Sequence, residues 1–369
     1  MKKYKIFVIN PGSTSTKLAL FENEHKILET NVFHDSSVLL QFPTVNAQLP
    51  YRKKLIMDFL SENRIDLSDV DAIVGRGGSC YPVASGVYVI DDKLIEDTAA
   101  GKGGMEHPSN LGVQLARELQ KEFGGRIFMV DPPCVDELCD MARMTGIDGV
   151  PRHTNMHALN LRGVAMHHAK HVLGKKYEDC CFIVCHIDGG ISVSAHRYGR
   201  IIDCNDAAGG DGPYTPTRIG SVSVADILEY VRDKDIDEVK KLCTRTGGFV
   251  SHFGTSSSDN VHKMAEEGNK KAIRVWDGMK YQIVKYIGAM AAVLGGRVDG
   301  ILLTGGLLRF EDITQTIREQ CEWIAPVSTY PGEVEHEALA AGALRVLRGE
   351  EEPKHYTGRP VWDGWHDDD

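Results

Sequence analysis

A chain of 369 residues, 42% hydrophobic and 25% charged, is too long for one core of ordinary size and too apolar for extended disorder, so it predicts two domains of roughly 150 to 200 residues each. Its 42 Lys and Arg against 52 Asp and Glu leave a net charge of −10, which argues against a main task of holding nucleic acid or an anionic membrane. Nine cysteines without framework spacing read as reduced core thiols, and with no bilayer-length apolar run and no secretion-signal pattern a cytoplasmic protein is expected.

Residues 4–9 read as a strand, Asn10-Pro-Gly-Ser-Thr-Ser-Thr16 as a tight polar turn, and residues 17–21 as the returning strand of a β-hairpin. Leu111, Leu115 and Leu119 mark one stripe of a helix over residues 111–123, and residues 126–130 form a buried strand that ends at Asp131-Pro-Pro133. Such alternation indicates an α/β class. A histidine-rich helix is predicted over residues 154–173, with His167, His168 and His171 on a shared polar side. The hairpin pattern then returns, with a strand at 181–185, a turn at His186-Ile-Asp-Gly-Gly190 and a strand at 191–196, which implies an internal duplication.

Cys180, Cys181, Cys185 and His186 are the nearest approach to a metal cluster, but neighbouring strand residues point to opposite faces, so four convergent ligands are not expected. Ile273, Trp276, Met279, Ile283, Ile287, Met290 and Leu294 predict a long core-facing helix over residues 272–294. A buried strand at 300–304 runs into Gly305-Gly306, where backbone can lie against a ligand. A short alanine-rich helix over 337–347 and a frayed tail from 362 to 369 complete the chain.

No segment fits the G-x-x-x-x-G-K-[ST] or G-x-G-x-x-G phosphate loops. A hairpin tip can serve instead, because successive N–H groups in a tight turn form an anion nest, to which Ser13, Thr14 and Ser15 add hydroxyls and Lys17 a charge. One such tip alone reads as an ordinary turn, since Asn, Gly, Ser and Thr favour turns for local reasons. Two tips of one design, with a third glycine turn at 304–306, favour a grip on a polyphosphate.

These residues carry a resemblance. Asn10-Pro-Gly-Ser-Thr-Ser-Thr-Lys17, Cys185-His-Ile-Asp-Gly-Gly190 and Leu303-Thr-Gly-Gly306 resemble the two phosphate loops and the adenosine loop of the acetate and sugar kinase, heat-shock ATPase and actin superfamily. The closest match is the acetokinase family. Its histidine loop is similar to Pro151-Arg-His-Thr-Asn-Met-His157, its arginine loop to Thr215-Pro-Thr-Arg-Ile-Gly220, and its acidic motif to Glu335-His-Glu-Ala-Leu-Ala-Ala-Gly342. Val74-Gly-Arg-Gly-Gly78, Glu106-His-Pro-Ser-Asn110 and Ala343-Leu-Arg-Val-Leu-Arg-Gly349 look like its butyrate branch.

The resemblance implies duplicated ribonuclease H-like (actin-like ATPase) domains, residues 1–150 with 338–369 and residues 151–337, with the active site in the cleft between them. It implies reversible transfer between ATP and a short-chain fatty acid carboxylate, butyrate or a branched analogue, giving ADP and an acyl phosphate with Mg²⁺. Charge on the moving phosphoryl group needs fixed cations, and the carboxylate, already ionised, needs no general base.

By family position Arg76, Arg218, His153 and Asp131 are the catalytic candidates. The nucleotide candidates are Asn10, Gly12, Ser13, Thr14, Ser15, Lys17, His186, Asp188, Gly189, Gly190, Gly305 and Gly306; Glu337 and Asp131 are the metal candidates. His153 and His157, four apart, also look like a zinc pair one helical turn apart, although the glutamate of H-E-x-x-H is missing. Gly75 stands where the acetate branch has a bulkier residue, which suggests room for a longer acid. A homo-oligomer, dimer or higher, is implied. Alternatives are an acetate or propionate kinase of the same fold and, from a different class, a nucleotide-driven clamp on protein partners.

Overall fold

The computed structural model describes residues 2–104 and 107–365. Glu106 of the 106–110 motif and residues 366–369 of the expected tail lie outside them. The chain forms two compact units, Met1–Asp136 with Val334–Asp369 and Glu137–Glu333. They divide a short way before the boundaries at 150/151 and 337/338 that the sequence suggests. Residues just after the first division are tied into the second unit: Glu137 Oε2 accepts the Ile201 N–H at 3.0 Å and the Cys139 N–H donates to Ile202 O at 2.9 Å.

The first unit holds β1 (Lys5–Pro11), β2 (Ser15–Glu22), β3 (His25–Phe33), β4 (Ala72–Gly75), β5 (Val87–Val89) and β6 (Arg126–Val130), in the order β3-β2-β1-β4-β6-β5. β1 to β3 are antiparallel, while β4 pairs parallel to β1 and β6 parallel to β4. Ile6 to Ile9 are all fully buried, as a central strand covered on both faces requires. The predicted helix Leu111–Phe123 packs on β4 and buries Leu111, Leu115 and Leu119. The last helix begins two residues earlier than expected, at Glu335, and packs Glu335–Leu347 against β1 and β6.

The polar turn is shorter than expected. β1 runs to Pro11 and β2 starts at Ser15, so only Gly12-Ser13-Thr14 form the tip, and Asn10 and Lys17 face each other as strand partners.

Gly75 does not open space for a substrate. A Cβ there would lie 2.2 Å from Gly112 O, and a Cβ on Gly112 would lie 2.0 Å from Arg76 O. Two glycines thus let the helix backbone press on the strand end, and the room is filled by protein.

The second unit holds β7 (Cys181–Ile187), β8 (Ile191–Arg197), β9 (Arg200–Cys204), β10 (Gly300–Gly305) and β11 (Val327–Pro331), in the order β11-β10-β7-β8-β9. β7 to β9 are antiparallel and β10 and β11 continue parallel to β7. Apart from β5, the two sheets repeat one topology strand for strand, so the duplication inferred from the two hairpins is present in the fold.

The long helix, Lys270–Val293, buries Trp276, Met279, Ile283, Ile287 and Met290 as expected, but its stripe begins at Ala272; Ile273 is exposed. The histidine-rich helix starts only at Ala158 and ends at His171. Its histidines do not share a polar side. His167 and His171 stack outside with centroids 4.7 Å apart, whereas His168, one residue round the helix, is buried with Nδ1 2.7 Å from the Tyr330 hydroxyl. All nine cysteines are free, and Cys181 and Cys185 lie in the hydrophobic core of this unit. Among the described residues no helix is long and apolar enough to cross a membrane.

Candidate active site

Each unit presents a cluster of functional groups at its hairpin tip. In the first unit the Gly12 N–H closes the tip on Ser15 O at 2.7 Å, leaving Ser13 and Thr14 exposed. Behind it, at the end of β1, the buried Asn10 amide donates to Glu335 Oε2 at 2.7 Å. Arg76 follows β4 and extends its ladder, with its N–H donating to Ile9 O at 2.9 Å. Its Nη1 reaches the same Glu335 oxygen at 2.6 Å. Glu335 opens the last helix, where the positive end of the helix dipole favours a carboxylate.

Sequence reasoning singled out Glu337 of that motif, as a metal residue, and passed over Glu335. Glu337 is half exposed and pairs with Lys26 Nζ at 2.8 Å, while Glu335, buried, holds Arg76 and Asn10. The signal that distinguishes them is helix phase: two residues along a helix turn about 200° apart, so only one of the pair can face β1 and β4. Asp131 ends β6 in a left-handed backbone conformation, φ +38°, which a non-glycine residue adopts at a cost. It is buried and doubly tied to Gly86, accepting that N–H on Oδ1 at 2.7 Å and donating its own N–H to Gly86 O at 3.1 Å.

In the second unit the tip Asp188-Gly189-Gly190 is laced to two other loops. Asp188 Oδ1 accepts the Gly189 N–H and Oδ2 accepts the Gly306 N–H, both at 2.8 Å, which fixes the glycine turn beside the hairpin. Gly305 has φ +110°, and a Cβ there would lie 2.3 Å from Ile187 O. Thr215 and Thr217 hydroxyls donate to Gly189 O at 2.7 and 3.2 Å, which anchors the arginine loop. Arg218 then lies against Gly190, where a Cβ would be 2.5 Å from its Nη1. The guanidinium donates to Ala207 O but pairs with no carboxylate among the described residues, and burial lowers its pKa. Asp206 acts on this charge only through space, without an ion-pair contact, and a guanidinium so placed suits an anionic ligand.

His186, buried at the end of β7, accepts on Nδ1 from the Asn160 amide at 2.8 Å, and that amide also reaches Thr304 Oγ1 at 3.1 Å. The His157 ring stacks on His186 with centroids 4.0 Å apart, and its Nδ1 lies 2.8 Å from Ser192 Oγ. His153 is not part of this stack. It is exposed, on the irregular segment before Ala158, so His153 and His157 do not stand one helical turn apart on a helix. Ligand atoms of His186, Asp188 and Glu333 lie within 4.8 Å of one another, and Glu333 was not singled out from the sequence. Two of the three are carboxylates, hard oxygen donors of the kind magnesium takes.

Two sheets of one topology, each with a glycine-bearing hairpin tip beside cationic side chains, define the duplicated ribonuclease H-like fold of the actin-like ATPases. Solved structures agree on the fold. The acetate kinase of Porphyromonas gingivalis superposes with a TM-score of 0.75 at 19% identity, covering 93% of this chain and 100% of that one. The acetate kinase of Entamoeba histolytica gives 0.74 at 15% identity, covering 92% and 98%. The acetokinase family model matches residues 150–327. Butyrate kinase 2 of Clostridium acetobutylicum is 42% identical over 356 residues, 96% of this chain and 99% of that protein. A protein of Clostridium botulinum named probable butyrate kinase is likewise 42% identical over 355 residues, with the same coverage. The chain belongs to the acetokinase family.

Proposed function

We propose that the chain is an ATP-dependent kinase that reversibly phosphorylates a short-chain fatty acid, butyrate or a branched analogue, to its acyl phosphate. Near full-length identity of 42% to butyrate kinases carries this reading. The chemistry of the clusters supports it. Backbone N–H groups and the hydroxyls of Ser13, Thr14 and Ser15 suit phosphate oxygens, and the glycines of the second tip, Gly189 and Gly190, and of the turn Gly305-Gly306, fixed to Asp188, belong to the nucleotide side of the same reading. Asn10 and Lys17 flank the first tip and His186 and Asp188 the second.

Arg76 orients the acid, with Glu335 holding its guanidinium in place. Arg218 supplies charge to the phosphoryl group as it moves, and His153, exposed on its loop, donates a hydrogen bond there. Asp131, tied to Gly86 by two hydrogen bonds, is the catalytic carboxylate of the same reading. No residue is required to remove a proton, because the attacking carboxylate is already ionised. Magnesium would be held by carboxylates: the resemblance assigns Asp131 and Glu337, and the geometry adds Asp188 with Glu333. When bound, it neutralises charge on the phosphate oxygens. Cytoplasmic location and assembly as a homo-oligomer belong to the same reading; Val224, Leu228, Tyr230 and Ile236 expose apolar surface that a second subunit would cover.

Steady-state kinetics across acetate, propionate, butyrate, isobutyrate and valerate test the substrate. Two extra methylenes in an apolar pocket, at about 0.8 kcal/mol each, predict a kcat/KM for butyrate about tenfold above that for acetate. An equal or higher value for acetate would replace this reading by an acetate kinase.

A further inference from the structure

Among the basic residues of the helix Leu49–Glu62, Lys53 pairs with Glu118 and Glu122 at 3.1 Å and Lys54 with Asp58 at 2.5 Å. Arg52 is different. Its side chain is fully buried and it forms no ion pair among the described residues. Its donors go to neutral oxygens: Nη1 to Gly12 O at 2.9 Å, Ser15 O at 3.3 Å and Thr16 Oγ1 at 3.2 Å, and Nη2 to Ser13 O at 3.5 Å. Nε and Nη2 also grip Gln48 Oε1 at 3.0 and 2.9 Å. The hairpin tip is thus wrapped around one guanidinium.

Two consequences follow. Three carbonyls of the tip are drawn inward by Arg52, and the N–H groups of Ser13 and Thr14 make no hydrogen bond among the described residues, which leaves them available to a ligand. The charge itself has no partner. Burial lowers the Arg52 pKa to about 10, so it is still protonated at neutral pH, and a buried charge without a counter-charge is costly unless something supplies one. Polarised carbonyls and a cation directly behind a tip of exposed N–H and O–H groups make that tip attractive to an anion.

We infer that Arg52 is the positioning residue of the first phosphate loop, shaping its tip and supplying from behind the standing positive charge that the nucleotide's phosphates complete. It touches neither nucleotide nor acid; it acts through residues 12–16. The inference rests on the kinase reading above.

Calorimetry of MgATP and of adenosine separates charge from shape. Gln48→Glu places a carboxylate on the two bonds that Gln48 already accepts, so it neutralises Arg52 with little change of contacts. The dissociation constant for MgATP is expected to rise about tenfold, that for adenosine to stay within twofold, and the salt dependence of MgATP binding to weaken. Arg52→Lys, which keeps the charge but loses the fork, is expected to bind MgATP more tightly than Arg52→Gln at equal thermal stability. Unchanged MgATP affinity in Gln48→Glu, or equal loss of MgATP and adenosine, overturns the inference. Absence of MgATP binding by the wild-type protein would instead overturn the kinase reading.

Discussion

Arg76 and Glu335, 259 positions apart in sequence, meet at 2.6 Å between Nη1 and Oε2, and Asn10 donates to the same oxygen at 2.7 Å. The strand end that carries Arg76 and the helix start that carries Glu335 are therefore fastened to each other and to β1. Truncating one member of a buried pair leaves the other charge unsatisfied, which costs about 3–5 kcal/mol. Glu335→Ala is expected to lower kcat/KM for the acid by about 10² and to lower Tm, and Arg76→Ala to lower kcat/KM at least as much. Residues acting as a unit are not additive, so the double variant should be no worse than the poorer single one; a fully multiplicative loss would show that the two act separately.

Gly190 touches Arg218. Because a Cβ at 190 would lie 2.5 Å from Nη1, at the far end of a long side chain, Gly190→Ala displaces the guanidinium rather than the fold. We expect kcat to fall about 10² while Tm moves by only a few degrees. Arg218→Ala should lower kcat by about 10³ or more, the scale of losing a transition-state charge. Wild-type turnover in Arg218→Ala would remove that residue from the mechanism.

Gly75→Ala tests packing against substrate size. The new methyl meets the Gly112 backbone at 2.2 Å, and overpacking of this kind costs about 1–3 kcal/mol or more. Thermal melts should show the loss, and the butyrate-to-acetate ratio of kcat/KM should not move. A shift of that ratio toward acetate at unchanged Tm would restore Gly75 as a determinant of acid length.

His196 predicts a pH dependence of stability. Its ring is buried between the Tyr177 hydroxyl, 2.7 Å from Nδ1, and Ser194 Oγ, 2.9 Å from Nε2. Burial, helped by the charge of Arg162, pushes its pKa down from 6.5 to about 3. A depressed folded pKa gives stability that is present above the unfolded value and is lost as pH falls toward the folded one. Between pH 7 and pH 5 the loss from this group is about 2 kcal/mol. Urea unfolding at both pH values should show it in the wild type and not in His196→Gln; equal losses would mean that other groups account for it.

Much of this molecule is written in its local sequence. The helix Leu111–Phe123 and the strand Arg126–Val130 begin and end where periodicity and turn residues place them, and the paired hairpins announced a duplicated topology. What escaped was set by three-dimensional phase. Whether Glu335 or Glu337 faces Arg76, and whether His168 looks in or out, depends on one or two steps around a helix. Arg52 carries no motif; its importance comes from burial beside a loop some 40 positions earlier. Gly75 misled because a missing side chain can admit substrate or backbone, and only the position of Gly112 decides.

Phosphorus NMR of the protein with MgATP and butyrate tests the central claim most directly. Growth of an acyl-phosphate resonance together with ADP, abolished when butyrate is withheld, is the predicted result. Phosphate release from ATP at a rate indifferent to any carboxylate, with no acyl-phosphate signal, would contradict it.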